Sequence, residues 1–443
     1  MMRTTIRGAS ATTCLAAALI LVTSATGMLG CKSGDDSTGG KAAQQSGAGK
    51  SAPPDPVQQA LSGPERPALF LTQAWFWTDA NGRPNPGPAR LDIWRPGKGG
   101  WELTRVEDAD SNVFHKAIQI DDGILTIGAQ KALLKKWNFV NGKWQADTLW
   151  EQSWGGRFDR LRDMEVGDVD HDGVDELVIA THDAGVVAVA EIGAGGGKAT
   201  VVEMDQKADT FVHEIEIGDI DGDGKLEFFA TPSDRNKANA SQAGGVSMYR
   251  YDGSKYVRSW VEEQGGTHAK EILAHDMDGD GKAELFAVLE AEVDPNNKTR
   301  LLKPVEIRQY TLEPDGTFSH RTVATIDDRL TRFLIPGDFD GDGTAELVAA
   351  AFKRGIFHFT PPPGGVNVDK RWTSKLIDGN SSGFEHAIYA VDLEGDGTIE
   401  LYVASDDQRE LRRYDFSGGA FKKKVLGKLD ADVLTWNITA GKL

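Results

Sequence analysis

The 443 residues contain only two cysteines, Cys14 and Cys31, so no disulfide framework holds this fold. Basic residues are outnumbered: 49 Lys and Arg stand against 67 Asp and Glu, a net charge of -18. That balance excludes a nucleic-acid partner, since phosphate binding needs a basic face. A membrane-spanning run is missing too, because the apolar stretch Leu15 to Val22 is too short to cross a bilayer as a helix. Catalytic words are scarce. There is no H-E-x-x-H. The one G-x-S-x-G, Gly379-Asn-Ser381-Ser-Gly383, precedes a strand pattern, whereas a nucleophile elbow needs a strand, a turn and a helix.

What is present begins with a targeting segment. Arg3 and Arg7 supply a positive start, the short apolar run follows, and Met28-Leu29-Gly30-Cys31 resembles a bacterial lipoprotein cleavage box. Met28 stands where that family usually has Leu. The resemblance implies a signal peptide over residues 1–30 and a lipid on Cys31. Cys14 then leaves with the signal, and the mature chain has no disulfide. Residues 31–66 are Gly, Ser, Ala, Gln, Asp and Pro with almost no large apolar side chain, so they read as a disordered tether. The expected location is the outer membrane or cell surface, with membrane contact through the lipid alone.

An acidic loop then recurs five times. Its carboxylates are Asp168, Asp170, Asp172 and Glu176; Asp219, Asp221, Asp223 and Glu227; and Asp276, Asp278, Asp280 and Glu284. The last two copies are Asp338, Asp340, Asp342 and Glu346, and Asp392, Glu394, Asp396 and Glu400. Successive starts lie 51, 57, 62 and 54 residues apart. Acids at positions 1, 3, 5 and 9 with Gly at 6 suit a hard cation such as calcium, which takes six to eight oxygens in flexible geometry. An EF-hand needs Glu at position 12, where these loops carry Ile179, Ala230, Ala287, Ala349 and Val403. Each loop instead runs into an apolar strand. About five calcium ions are expected. Five copies in register speak against a set of solvated turns.

These loops resemble the FG-GAP or VCBS-type repeats of bacterial surface proteins and integrin α-chain propellers. The resemblance covers roughly residues 110 to 425. It implies a β-propeller with calcium between the first two strands of a blade, and it implies no single activity. The Phe-Gly and Gly-Ala-Pro words that name the family are not clear here.

A second repeat counts the blades. Aromatic hairpins turn at Gly99, Gly142, Gly253, Gly316, Gly365 and Gly418, with a smaller one at Gly195. Seven hairpins against five loops predict an all-β, seven-bladed propeller over residues 67–443, about 54 residues per blade, with two calcium-poor blades. Blade 1 opens on a second-strand pattern, and Asp432 to Ile438 is a strand with no hairpin partner. The C-terminal strand therefore closes the ring as the inner strand of blade 1. Eight of eleven Trp residues precede residue 160. They read as core fillers where no ion helps rather than as a sugar-binding set.

Six residues before each loop, a basic residue or His recurs: Arg162, His213, Lys270, Arg332 and His386, with His115 in the decayed blade 2. Radial repetition puts them near one mouth of the channel, the top, opposite the calcium loops. There they either focus an anionic ligand or pair with acids such as Glu214, Glu271 or Glu385 to tie blades together. The three His fall in blades 2, 4 and 7, so no zinc triad is expected. Long top-face loops are expected at 78–88, 232–245 and 290–304. Two function classes fit: a non-catalytic adhesion or binding module for an unknown protein or polysaccharide, and a polysaccharide-active enzyme, such as a lyase, using the top-face bases.

Overall fold

The computed structural model describes residues 66–443 apart from 121–122, 157, 194–195, 208 and 236–240, and not the side chain of Lys298. The expected signal peptide, tether and Cys31 lie outside the described residues. The rest is β-structure, with one 3₁₀ turn at Asp406–Gln408.

Seven antiparallel sheets of four main strands form a seven-bladed β-propeller. Its inner strands are Phe114–Ile120, Leu161–Gly167, Thr210–Gly218, Ala269–His275, Thr331–Gly337, Ile388–Val391 and Val433–Lys442. Each touches the next, and the last touches the first, so the ring is closed. Closure is the expected one. Val433–Lys442 pairs antiparallel with Pro67–Thr78, from Trp75↔Val433 to Pro67↔Lys442. Every aromatic hairpin read from the sequence is the third-to-fourth strand connection of a blade.

Each second strand is pressed between two neighbouring blades, which is why it reads as a continuous apolar run. Glu176–Thr181, Glu284–Leu289, Glu346–Ala351 and Glu400–Ser405 are buried at every position. Outer strands such as Gly197–Asp205 are half-buried or exposed. The apolar cores therefore lie between blades. Phe70, Leu91 and Ile93 of blade 1 meet Phe114, Ile124 and Trp137 of blade 2. At the closing seam, Trp94 of blade 1 lies against Gly427 of blade 7, where a Cβ would stand 2.5 Å from the indole ring. Only glycine admits that approach. Trp94, Trp137 and Trp144 are buried, as core fillers should be, whereas Trp77 is half exposed.

Two of the expected top-face loops are hairpins instead. Pro84–Pro86 pairs back on the end of Pro67–Thr78, and Glu292–Asp294 pairs with Asn297–Lys303. The turn words Gly82 and Asp294-Pro-Asn-Asn297 explain both.

Candidate functional site

Each acidic loop joins the inner strand to the second strand of blades 3 to 7, on the bottom face. All five close by the same two bonds. The carboxylate at position 1 accepts the N–H of the Gly at position 6, at 2.7–3.0 Å. The Glu at position 9 accepts the N–H of position 2, at 2.9–3.2 Å. Positions 4 and 6 both take positive φ. Gly meets that demand everywhere except position 4 of the first loop, where His171 adopts φ 67°.

The fold draws three carboxylates of each loop together, with candidate ligand oxygens within 4.8 Å of one another. In blades 3 to 6 they come from positions 1, 3 and 9: Asp168, Asp170 and Glu176; Asp219, Asp221 and Glu227; Asp276, Asp278 and Glu284; Asp338, Asp340 and Glu346. In blade 7 they are Glu394, Asp396 and Glu400, and Asp392 stands apart. Asp172, Asp223, Asp280 and Asp342, read from the sequence as ligands, lie outside these trios and cap the N–H two residues on. Burial, with Asp170 and Asp168 adding, pushes the Glu176 carboxyl up to about 7. A set of hard oxygen donors this crowded fits a divalent cation. Among the described residues, the metal-capable groups of three or more are these five loops.

The basic series lies at the other end of the inner strands. A β-bulge falls at His115, Arg162, His213, Lys270 and Arg332. The extra residue in each bulge re-aims its side chain out of the strand's alternation. Trp436 occupies the same bulged position in the closing strand and completes blade 1 of the ring. His386 precedes the inner strand of blade 7 and is held at φ 55° by bonds to both ring nitrogens.

None of the six is open to solvent; their exposures run from 0% to 8%. Arg162 pairs with Glu214 at 3.0 Å and lies 3.6 Å from Glu385. Arg332 lies 3.4 Å from the same Glu385. Arg162 belongs to blade 3 and Glu385 leads into blade 7, so this triad spans the channel. Glu385 is fully buried, and neither of its oxygens has a hydrogen-bond partner; Arg332 Nε and Trp436 Nε1 are also unpartnered. Lys270 Nζ lies 3.0 Å from His213 Nε2, and Glu290 is 3.9 Å away. Burial, with Arg332 and Arg162 adding, lowers Lys270 to about 7. Burial also holds His115 and His213 far below their ordinary value and His386 at about 4. The imidazoles are therefore neutral at pH 7, and Arg162 and Arg332 carry the ring's permanent charge.

The sequence reading missed three features here. His182 and His268 flank His213 from blades 3 and 5, with ring centroids 5.3 and 5.5 Å away. Both are lowered to about 3 by burial. Ser381 and His386 meet at 2.8 Å, yet both are fully buried and His386 Nδ1 donates to the Ala351 carbonyl. That pair ties blade 7 to blade 6. Below the ring, Lys116 is held between Asp163, at 3.0 Å, and Glu165.

A family model described as FG-GAP-like repeat matches residues 219–287 and 276–349. Over 80 residues the chain is 32% identical to the rhamnogalacturonan endolyase YesW of Bacillus subtilis, which covers 16% of this chain and 13% of that enzyme. Among solved structures, a protein from Lactobacillus plantarum superposes with a TM-score of 0.53 at 11% identity, covering 85% of this chain and 99% of its own. A putative 6-phosphogluconolactonase from Bacteroides uniformis superposes at 0.51 with 14% identity, over 86% and 100%. At these identities the likeness is one of fold. The chain is a seven-bladed propeller carrying FG-GAP-like repeats.

Proposed function

We propose that this is a calcium-stabilised binding module, held at the cell surface by a lipid on Cys31, that takes an anionic protein or glycan ligand at the top mouth of the channel. The calcium part is supported by five loops that close by the same two bonds and each gather three all-oxygen donors. The ligand part is carried by one observation: Arg332 and Glu385 meet, buried, at the top end of the channel with hydrogen-bonding capacity unspent, Arg332 keeping the 8% exposure by which a ligand would reach it. A ligand carboxylate near Arg332 would compete with Glu385 for the guanidinium, and sugar hydroxyls would supply donors to the released Glu385. The test is binding of acidic polysaccharides, polygalacturonate first, at low and high salt. Salt-sensitive binding that disappears in a folded Arg332→Gln variant is expected. No binding by the wild type at low salt would refute the ligand reading.

One observation favours the enzyme reading: Lys270, at about 7, is able to take a proton near neutral pH beside Arg162 and Arg332. An ultraviolet assay for unsaturated products on the same polysaccharides separates a lyase from a binder.

A further inference from the structure

We infer that the five acidic loops fall into two classes, in which blades 3, 5 and 6 take an exchangeable divalent cation and blades 4 and 7 are largely neutralised by the chain's own Arg250 and Arg413. This rests on the calcium reading above and adds to it which sites fill.

The difference lies in the third strand of each blade. In blade 4, Tyr249 pairs with Phe228, which sets Arg250 beside Glu227. Arg250 donates from Nε to Glu227 Oε1 at 2.7 Å and from Nη2 to Asp221 Oδ2 at 2.7 Å. Two of that loop's three converging carboxylates are thus held by a guanidinium. In blade 7, Arg413 stands opposite Tyr402. It donates from Nη1 to Glu394 Oε1 at 2.7 Å and from Nη2 to Glu400 Oε1 at 2.9 Å. Blade 7 differs independently: position 3 is the longer Glu394, and Asp392 is outside the trio.

The other three blades carry no Arg or Lys at this place. In blade 3, Ala190 pairs with Leu177, so Glu191 stands where blade 4 has Arg250. In blade 5 the neighbour of Glu284 is the neutral Asn367, donating from Nδ2 at 3.0 Å. In blade 6, His358 Nε2 lies 3.8 Å from Glu346. A divalent ion entering blade 4 or 7 must approach a fixed positive charge and recover oxygens already bonded to it. At about 5 Å in a water-like dielectric, that repulsion alone weakens binding roughly ten- to twenty-fold. Arg413 is the more enclosed, with 15% of its side chain exposed against 43% for Arg250, so its effect is the larger.

The test is calorimetric titration of calcium into the decalcified full-length chain, with equilibrium dialysis for stoichiometry. Three tight sites and two sites at least roughly ten-fold weaker are expected. Arg413→Gln should bring a fourth site into the tight class, and Arg250→Gln should strengthen the fifth by a smaller factor. Five equivalent sites in the wild type would overturn the division. So would tight-site counts that stay at three in both variants, with folding verified by circular dichroism. No calcium binding in the wild type at millimolar concentration is a different result, and it would overturn the calcium reading itself.

Discussion

Asp406 offers a clean test of how the ring is closed. It lies in the 3₁₀ turn after the second strand of blade 7 and faces the closing strand. Thr435 N–H donates to Asp406 Oδ2 at 2.8 Å, and Thr435 Oγ1 lies 2.9 Å from Oδ1. The side chain is buried. Burial, with Asp407 and Glu385 adding, pushes its carboxyl up to about 7. A carboxyl raised in the folded state contributes stability that is complete below the unfolded value, near pH 4, and is lost as pH rises to 7. The loss is on the order of 3 kcal/mol at 1.36 kcal/mol per pH unit, allowing for some relaxation. Asp406→Asn mimics the protonated acid: its oxygen accepts from Thr435 N–H and its amide donates to Thr435 Oγ1. For a propeller of roughly 380 residues the unfolding entropy is about 0.8 kcal/mol/K, so 3 kcal/mol is about 4 °C. Thermal unfolding of both proteins from pH 4 to pH 8 is the assay. The Tm difference should move in favour of the variant by about 4 °C across that range. A difference that stays flat would show that Asp406 does not titrate in the fold.

Three further outcomes are expected. Dialysis against EGTA should lower Tm by about 10 °C, since three filled sites at 100-fold over Kd contribute about 2.7 kcal/mol each; an unchanged Tm would refute the ion sites. Deleting residues 430–443 removes Val433, Leu434, Trp436 and Ile438 from the core, roughly 1.5–3 kcal/mol apiece, so the product should aggregate or unfold; a monomer with wild-type melting on size exclusion and calorimetry would refute closure by this strand. Ser381→Ala leaves His386 Nε2 without its partner and should cost about 1–2 kcal/mol of stability, while polysaccharide binding stays intact; lost binding at unchanged Tm would give the pair a functional role.

The loops were legible because each copy needs Asp, Gly and Glu at the same intervals to close by the same two bonds, and a repeat copies those intervals. Closure was legible because Val433–Lys442 has no hairpin of its own. The bulged ring was legible as a position, since counting back from each first Asp lands on it. Its seventh member, Trp436, was not, because no acidic loop follows the closing strand to count from. Burial of the ring was also hidden. Arg162 and Glu385 are 223 residues apart in sequence (385 − 162), and only the closed ring brings them across the channel. His182 and His268 escaped because they do not share the repeat position of His213. That Asp172 and its equivalents in blades 4 to 6 stand outside the trios was hidden, because the letters do not say which carboxylates of a loop the folded backbone brings together.

With no disulfide expected in the mature chain, the fold neutralises its buried acids in two separate ways. At the bottom rim, carboxylates converge in five trios: three suit exchangeable ions, and Arg250 and Arg413 hold the other two. In the channel and at the closing seam, fixed partners or protonation serve instead: Lys116 holds Asp163 and Glu165, and burial raises Glu214 and Glu271 well above the ordinary carboxylate range. The loops and the Asp406–Thr435 seam sit at opposite ends of the inner strands and share no side chain, so perturbations of them should add. The pH-dependent gain of Asp406→Asn should therefore persist, at about 4 °C, in protein stripped with EGTA. The four Tm values, with and without calcium for each protein, form a double cycle. A gain that vanishes in EGTA would show that the loops and the seam unfold as one coupled unit, and that ions at the rim hold the ring shut.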